Sequence, residues 1–142
     1  MTGRPFSSQR GRWSDVPSRV LGRLIGLERE RGDLHRRIEA RVDAMFSAGL
    51  VEETRRLAGR GLGANPTARQ AIGYRQVLEH LEGVRGLRET VELVKSRTRQ
   101  YAKRQGTWFR LQMDLQWVVV GAGESAAETA ERVMALLDTR RV

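Results

Sequence analysis

Apolar residues first gather at Val20-Leu21-Gly22-Arg23-Leu24-Ile25-Gly26-Leu27, a short run closed by glycine that reads as a mostly buried strand. From Glu28 to Ala48 the spacing becomes helical, with Leu34, Ile38, Val42 and Met45 on one face and Gly49 where such a helix ends. A second helix is predicted over Leu50 to Arg60, stopped by Gly61-Leu62-Gly63-Ala64-Asn65-Pro66, and a third over Thr67 to Glu82. The longest runs from Leu87 to Gln112. The chain then turns β-branched and aromatic at Leu115-Gln116-Trp117-Val118-Val119-Val120, and Gly121-Ala122-Gly123 leads into a last helix over Ser125 to Leu137. The pattern therefore predicts a mainly α chain of α/β type. Its helical block, 29–113, is bracketed by segments 1–28 and 114–142, each with one short strand. These strands read as the ends of a parallel sheet whose other strands are missing.

The fourth helix carries the most chemistry. Projection at about 100° per residue puts Val91, Val94, Thr98, Tyr101, Ala102, Gln105, Trp108 and Phe109 on one arc, which predicts that this arc faces a core. Phe109 in particular reads as a core residue. Lys95, Arg99, Lys103 and Arg110 flank the arc on one side and Arg97 and Arg104 on the other, with no acidic residue between Glu92 and Asp114. An ordinary charged helix surface interleaves Glu with Lys and Arg to gain i,i+4 pairs. A helix without that compensation is easily explained if phosphates supply the counter-charge, and aromatic residues among the cations suit contacts to bases.

Composition sharpens this picture. The 142 residues hold 26 Lys and Arg against 17 Asp and Glu, a formal charge of +9, which points to a polyanionic partner. Residues 87–113 alone hold 7 basic and 2 acidic groups, so one helix supplies most of the excess. With no cysteine, thiolate chemistry and disulfides are excluded. There is no apolar run of membrane-spanning length and no apolar segment of signal-peptide type in Met1 to Trp13, which points to the cytoplasm. No GxxxxGK[ST], G-x-S-x-G or H-E-x-x-H occurs, and His35 and His80 lack the partners of a metal site or dyad. Gly121-Ala122-Gly123-Glu124-Ser125-Ala126 matches a dinucleotide-binding pattern only weakly. Ser125 with Glu128 is better read as the capping box of a strand-to-helix turn. Within the third helix Gly73 would cost about 1 kcal/mol relative to Ala, so a close approach there is expected.

Several ordered blocks are distinctive together: Ala68-Arg69-Gln70-Ala71-Ile72-Gly73-Tyr74-Arg75, Arg97 to Gln105, and Thr107-Trp108-Phe109-Arg110. Arg37 to Met45, Gly49-Leu50-Val51-Glu52-Glu53, Thr2-Gly3-Arg4-Pro5 and Trp13 add to them. In these blocks the chain closely resembles the tRNA dimethylallyltransferase family. The resemblance implies a P-loop kinase-like α/β fold with an inserted helical region. It also implies transfer of a dimethylallyl group from its diphosphate to N6 of the adenosine 3′ of the anticodon, in tRNAs reading codons that start with U. In the family the target base is flipped into a channel, a general-base Asp activates N6, and Mg²⁺ and the P-loop hold the diphosphate.

Carried over by position, the family's tRNA-contacting blocks fall on Gln70, Ala71, Ile72, Gly73, Tyr74 and Arg75, and on Lys103, Arg104, Gln105, Gly106, Thr107, Trp108, Phe109 and Arg110. Arg41 is the candidate for an Arg that reaches the active site. Gly106 departs from the larger side chain usual in the family. The family's P-loop and catalytic Asp precede the Thr-Gly-Arg-Pro segment, which here directly follows Met1. The chain therefore reads as the C-terminal part of the pattern, a monomer that grips the tRNA anticodon stem-loop. It is expected to bind neither Mg²⁺ nor dimethylallyl diphosphate through its own residues and not to catalyse unaided. The alternatives are a stand-alone helical RNA-binding module and an unstable gene remnant with exposed strand edges.

Overall fold

The computed structural model describes residues 24–138. The Thr2 to Trp13 resemblance and the expected strand start at Val20 lie outside that range. Strand β1 spans Ile25–Arg29 and strand β2 spans Gln116–Val120. They pair with each other in parallel, Gly26 opposite Trp117 and Glu28 opposite Val119. Parallel neighbours need a long crossover, and here the whole helical block provides it. Gly26 does not end the apolar run, as its sequence position suggested, but lies inside the strand. The indole of Trp117 leans across it so closely that a Cβ at position 26 would come within 2.8 Å of the ring.

Helix α1 covers Arg31–Ser47, α2 Leu50–Ala58, α3 Pro66–Arg69, α4 Tyr74–Leu81, α5 Leu87–Gln112 and α6 Ala126–Asp138. Three of these starts are capped by local side chains. The Glu30 carboxylate caps α1 by accepting from the backbone N–H groups of Gly32 and Asp33, at 3.0 and 3.3 Å. Asn65 caps α3 through its side-chain oxygen, with Pro66 in the first turn. Ser125 and Glu128 form the expected reciprocal capping box, at 2.8 and 3.2 Å. The core is a seam between α1 and α5, where Ile38, Val42 and Val94 are buried and Leu34, Phe46, Val91 and Ala102 pack around them. Buried Thr54 and Thr90 satisfy their hydroxyls on the carbonyls one turn back, Leu50 and Gly86, at 2.7 and 2.9 Å.

The predicted third helix is in fact two. It breaks between Arg69 and Tyr74 because Gly73 adopts φ +103°, ψ −68°, a conformation closed to residues with a side chain. Gly73 thus stands at a corner, not inside a helix, and its N–H is satisfied by the Gln76 side-chain oxygen at 2.8 Å. The arc on α5 is also only partly a core face. Val94 is buried, yet Tyr101, Trp108 and Phe109 are exposed, since α5, at 26 residues, outruns the 17-residue α1 that covers it. Phe109 is therefore not a core residue.

One polar node ties the crossover to the sheet. Asp33, in the first turn of α1, is buried and accepts from Arg29 at 3.2 Å and Arg37 at 3.0 Å, with Arg36 at 3.5 Å. Arg29 also donates to the Gly121 carbonyl and Arg37 to that of Ala122, at 3.1 and 3.2 Å, which binds the loop after β2 to the start of α1. Burial pushes the Asp33 carboxyl up, but Arg37 and then Arg29 outweigh it and leave its pKa below the ordinary value.

Three expectations follow for stability. Gly73→Ala should lower the unfolding free energy, read from urea titration, by about 1–3 kcal/mol. Gly106→Ala, inside an exposed helix with no positive φ, should raise it by about 0.5–1 kcal/mol. Because folding lowers the Asp33 pKa, its pairing stabilises at neutral pH and that contribution disappears as the pH falls through the folded-state value. Urea titrations of wild type and Asp33→Asn across pH should differ most at neutral pH and converge in acid.

Candidate nucleic-acid interface

The C-terminal half of α5, freed from α1, looks across at the sheet and at α6. Between them lies an open cleft of about 1130 Å³. Lys103, Gln105, Gly106, Thr107, Phe109 and Arg110 line it from α5, while Arg29, Arg31 and His35 line it from β1 and α1. Helical spacing explains the choice. Positions 99, 103, 106 and 110 share one face of α5, and Arg104 and Trp108 fall on another. Those two do not line the cleft. Arg104 instead lies over the ring of Tyr101, at 5.9 Å, and Trp108 meets Phe109 edge to face at 5.0 Å.

The cleft is cationic. Arg29, Arg31, Arg99, Lys103 and Arg110 face it against a single carboxylate among the described residues, Glu28. The charge on α5 is nevertheless less naked than its sequence suggests. Lys95 pairs with Asp43 at 2.8 Å and Glu92 at 3.1 Å, Arg99 with Glu39 at 2.7 Å, and Arg110 with Glu28. Apart from Glu92, on α5 itself, the compensation comes from α1 and β1, so a reading confined to the helix could not see most of it. The hydrogen bonds that Lys95 donates to Asp43 and Glu92 raise its pKa above the ordinary value. Among the described residues, Lys103, Arg104 and Arg31 have no ion-pair partner.

The other predicted block, Gln70 to Arg75, lies elsewhere. Gln70 ends α3, Ala71 and Ile72 are exposed, and Gly73 turns the corner. Tyr74 donates its hydroxyl to the Glu53 carboxylate, which raises the phenol pKa, with burial a smaller contribution. Arg75 pairs with Glu79 at 3.2 Å. Ala71, Ile72 and Tyr74 line a second concavity, of about 320 Å³, with Met45, Ala48, Leu50 and Glu53. The two blocks thus line separate hollows, one near the start of α1 and the other near its end. Arg41 is exposed between them and lines neither.

Glu28 in the cleft wall is a residue that sequence reasoning did not single out, and His35, also in the wall, enters that reasoning only as a metal or dyad residue. The signal that could have found Glu28 was the pairing of β1 with β2, which brings β1 under the end of α5. No group of three or more His, Asp or Glu suited to a metal ion occurs among the described residues, and Asp33, Glu124 and Glu28 are each engaged by arginine. These carboxylates do not fit a Mg²⁺ site. No described helix is long and apolar enough to cross a membrane.

Comparison with known proteins gives this geometry a family. The chain is 48% identical over 120 residues to the tRNA dimethylallyltransferase of Geobacter metallireducens, covering 83% of this chain and 38% of that protein. It is 44% identical over 134 residues to the enzyme of that name from Geobacillus kaustophilus, covering 92% and 41%. Among solved structures, the tRNA delta(2)-isopentenylpyrophosphate transferase of Staphylococcus epidermidis superposes with a TM-score of 0.76 at 31% identity, over 96% of this chain and 44% of that one. The full-length tRNA isopentenylpyrophosphate transferase of Bacillus halodurans does so with 0.73 at 34%, over 80% and 37%. The chain spans about two fifths of the length of the curated relatives it matches. The family model for IPP transferase matches residues 1–112, so the crossover helices and their cationic cleft are those of a member of the IPP transferase family, to which this chain belongs.

Proposed function

We infer that the cleft grips the anticodon stem-loop of a tRNA, as the tRNA-holding part of a dimethylallyl transfer. The observation that carries this reading is the surplus of cations over carboxylates on the cleft wall, with Lys103 and Arg31 unpaired among the described residues. Phosphate contacts position an RNA without reading it, and unpaired Lys and Arg are the groups that make them. Exposed Tyr101 and Trp108 on the neighbouring face of α5 suit stacking with unpaired loop bases. The Gln70 to Arg75 corner, with its own apolar hollow, serves as a second contact on the same RNA, and Arg41 lies between the two.

The acceptor under this reading is N6 of the adenosine 3′ of the anticodon in tRNAs that read U-starting codons. The donor is dimethylallyl diphosphate, and the setting is a cytoplasmic monomer. Anchoring the stem on both sides would hold the loop while the target base leaves its stack, at a cost of a few kcal/mol. The described residues supply grip rather than proton transfer, because the one carboxylate they bring to the cleft is held by Arg110 in the RNA-free chain. That last observation favours a second reading, in which the chain is an RNA-binding module that transfers nothing by itself.

Filter binding or fluorescence anisotropy with an anticodon stem-loop should show affinity that falls steeply with salt. Lys103→Ala should flatten the log–log salt slope by about one unit. Equal affinity for arbitrary RNA would reduce the interface to non-specific basicity. Incubating the purified chain with tRNA, Mg²⁺ and dimethylallyl diphosphate separates the two readings, since N6-modified adenosine in the digest would exclude the non-catalytic one.

A further inference from the structure

Glu28 is the single acid on the cleft wall among the described residues, and its position is specific. Its carboxylate is ion-paired with Arg110, whose guanidinium carbon stands 5.2 Å from the centre of the Trp117 ring. Trp117 in turn lies against its cross-strand partner Gly26, and only a glycine leaves room for it. Gly26 and Glu28 point to the same face of β1, so the layers run Gly26, Trp117, Arg110, with Glu28 holding the guanidinium from the side. A guanidinium offers a planar fork of donors that takes a carboxylate or a phosphate with the same geometry. The one cleft arginine that belongs to the predicted RNA-contacting block is thus already occupied by a carboxylate of the protein itself.

We propose that Glu28 is an internal stand-in for an RNA phosphate, and that Arg110 changes partner from Glu28 to a phosphodiester when RNA enters the cleft. The proposal rests on the RNA-binding reading above. Exposure makes the exchange feasible: Arg110 is 49% and Glu28 36% exposed, so the pair is screened and weak, unlike a buried one. Trp117 keeps the guanidinium aimed into the cleft while it changes partner, so little side-chain freedom remains to be lost on binding. The carboxylate also repels any phosphate that approaches without reaching Arg110. It therefore disfavours RNA that touches the cleft at random and tolerates RNA that places a phosphate over Trp117.

The test is a double-mutant cycle on stem-loop affinity at low salt, using the full chain as wild type, Glu28→Gln, Arg110→Gln and the double variant. Glu28→Gln is expected to bind about two- to fivefold tighter than wild type. In the Arg110→Gln background that gain should largely vanish. Glu131→Gln, on the exposed side of α6, controls for the loss of one negative charge and should gain less. A second measurement guards against misfolded variants: the indole N–H resonance of Trp117, assigned with Trp117→Phe, should shift when RNA is added to wild type. In free Glu28→Gln it should already lie part of the way toward the bound position. A Glu28→Gln gain that persists in full without Arg110, or no gain at all, or a Trp117 resonance indifferent to both RNA and Glu28, overturns the proposal. Absence of any stem-loop binding by the wild-type chain sinks the RNA reading and this proposal with it, whereas binding without the coupling sinks this proposal alone.

Discussion

The parallel pairing of β1 with β2 is the constraint on which the rest of the molecule depends. Two parallel neighbours cannot be joined by a tight turn, so the chain between them must leave the sheet and return. That excursion is the helical block, and the places where it leaves and returns determine what can face the sheet. Asp33 secures the departure. One buried carboxylate gathers arginines from β1 and α1, and two of those arginines continue to the carbonyls of Gly121 and Ala122 beyond β2. Without that node the start of α1 and the loop after β2 would present like-charged side chains and unsatisfied carbonyls to each other.

The length of α5 turns this scaffold into a site. Its first half is held by α1 through Val94, Val42 and Ile38, while its second half extends past the end of that contact and overhangs the sheet. The overhang has a physical cost, since Tyr101, Trp108, Phe109 and Leu111 remain exposed. It also leaves a cationic face without a packing partner. Burial would have forced each of those charges to be paired or neutralised. On an overhang they stay charged and available, which is the condition for holding a polyanion.

Much of this was legible in the residues. The helix over Leu87 to Gln112, the strand at Trp117 to Val120 and the Ser125 capping box follow from period, β-branching and capping chemistry, all local properties. The resemblance carried by the Gln70 to Arg75 and Lys103 to Arg110 blocks pointed to the family that the comparisons identify. The break at Gly73 was not legible, because an apolar period running through a glycine looks the same whether that glycine is helical or left-handed. Nor was the pairing of Lys95, Arg99 and Arg110. Apart from Glu92, three residues before Lys95, their acidic partners sit on α1 and β1, far away in sequence.

The sequence by itself determined most of the elements, the basic character of one helix and the family, because each depends on side chains within a few turns of one another or on the order of blocks along the chain. Only the tertiary structure decided which of the basic residues are free. That depends on which carboxylates the fold brings alongside, and ion pairs form across space without regard to chain distance. It assigned Arg110 to Glu28 over Trp117 and left Lys103 unpaired among the described residues, though both lie on one flank of the same helix. The reason is geometric: β1 ends beneath position 110, and no described acid reaches position 103.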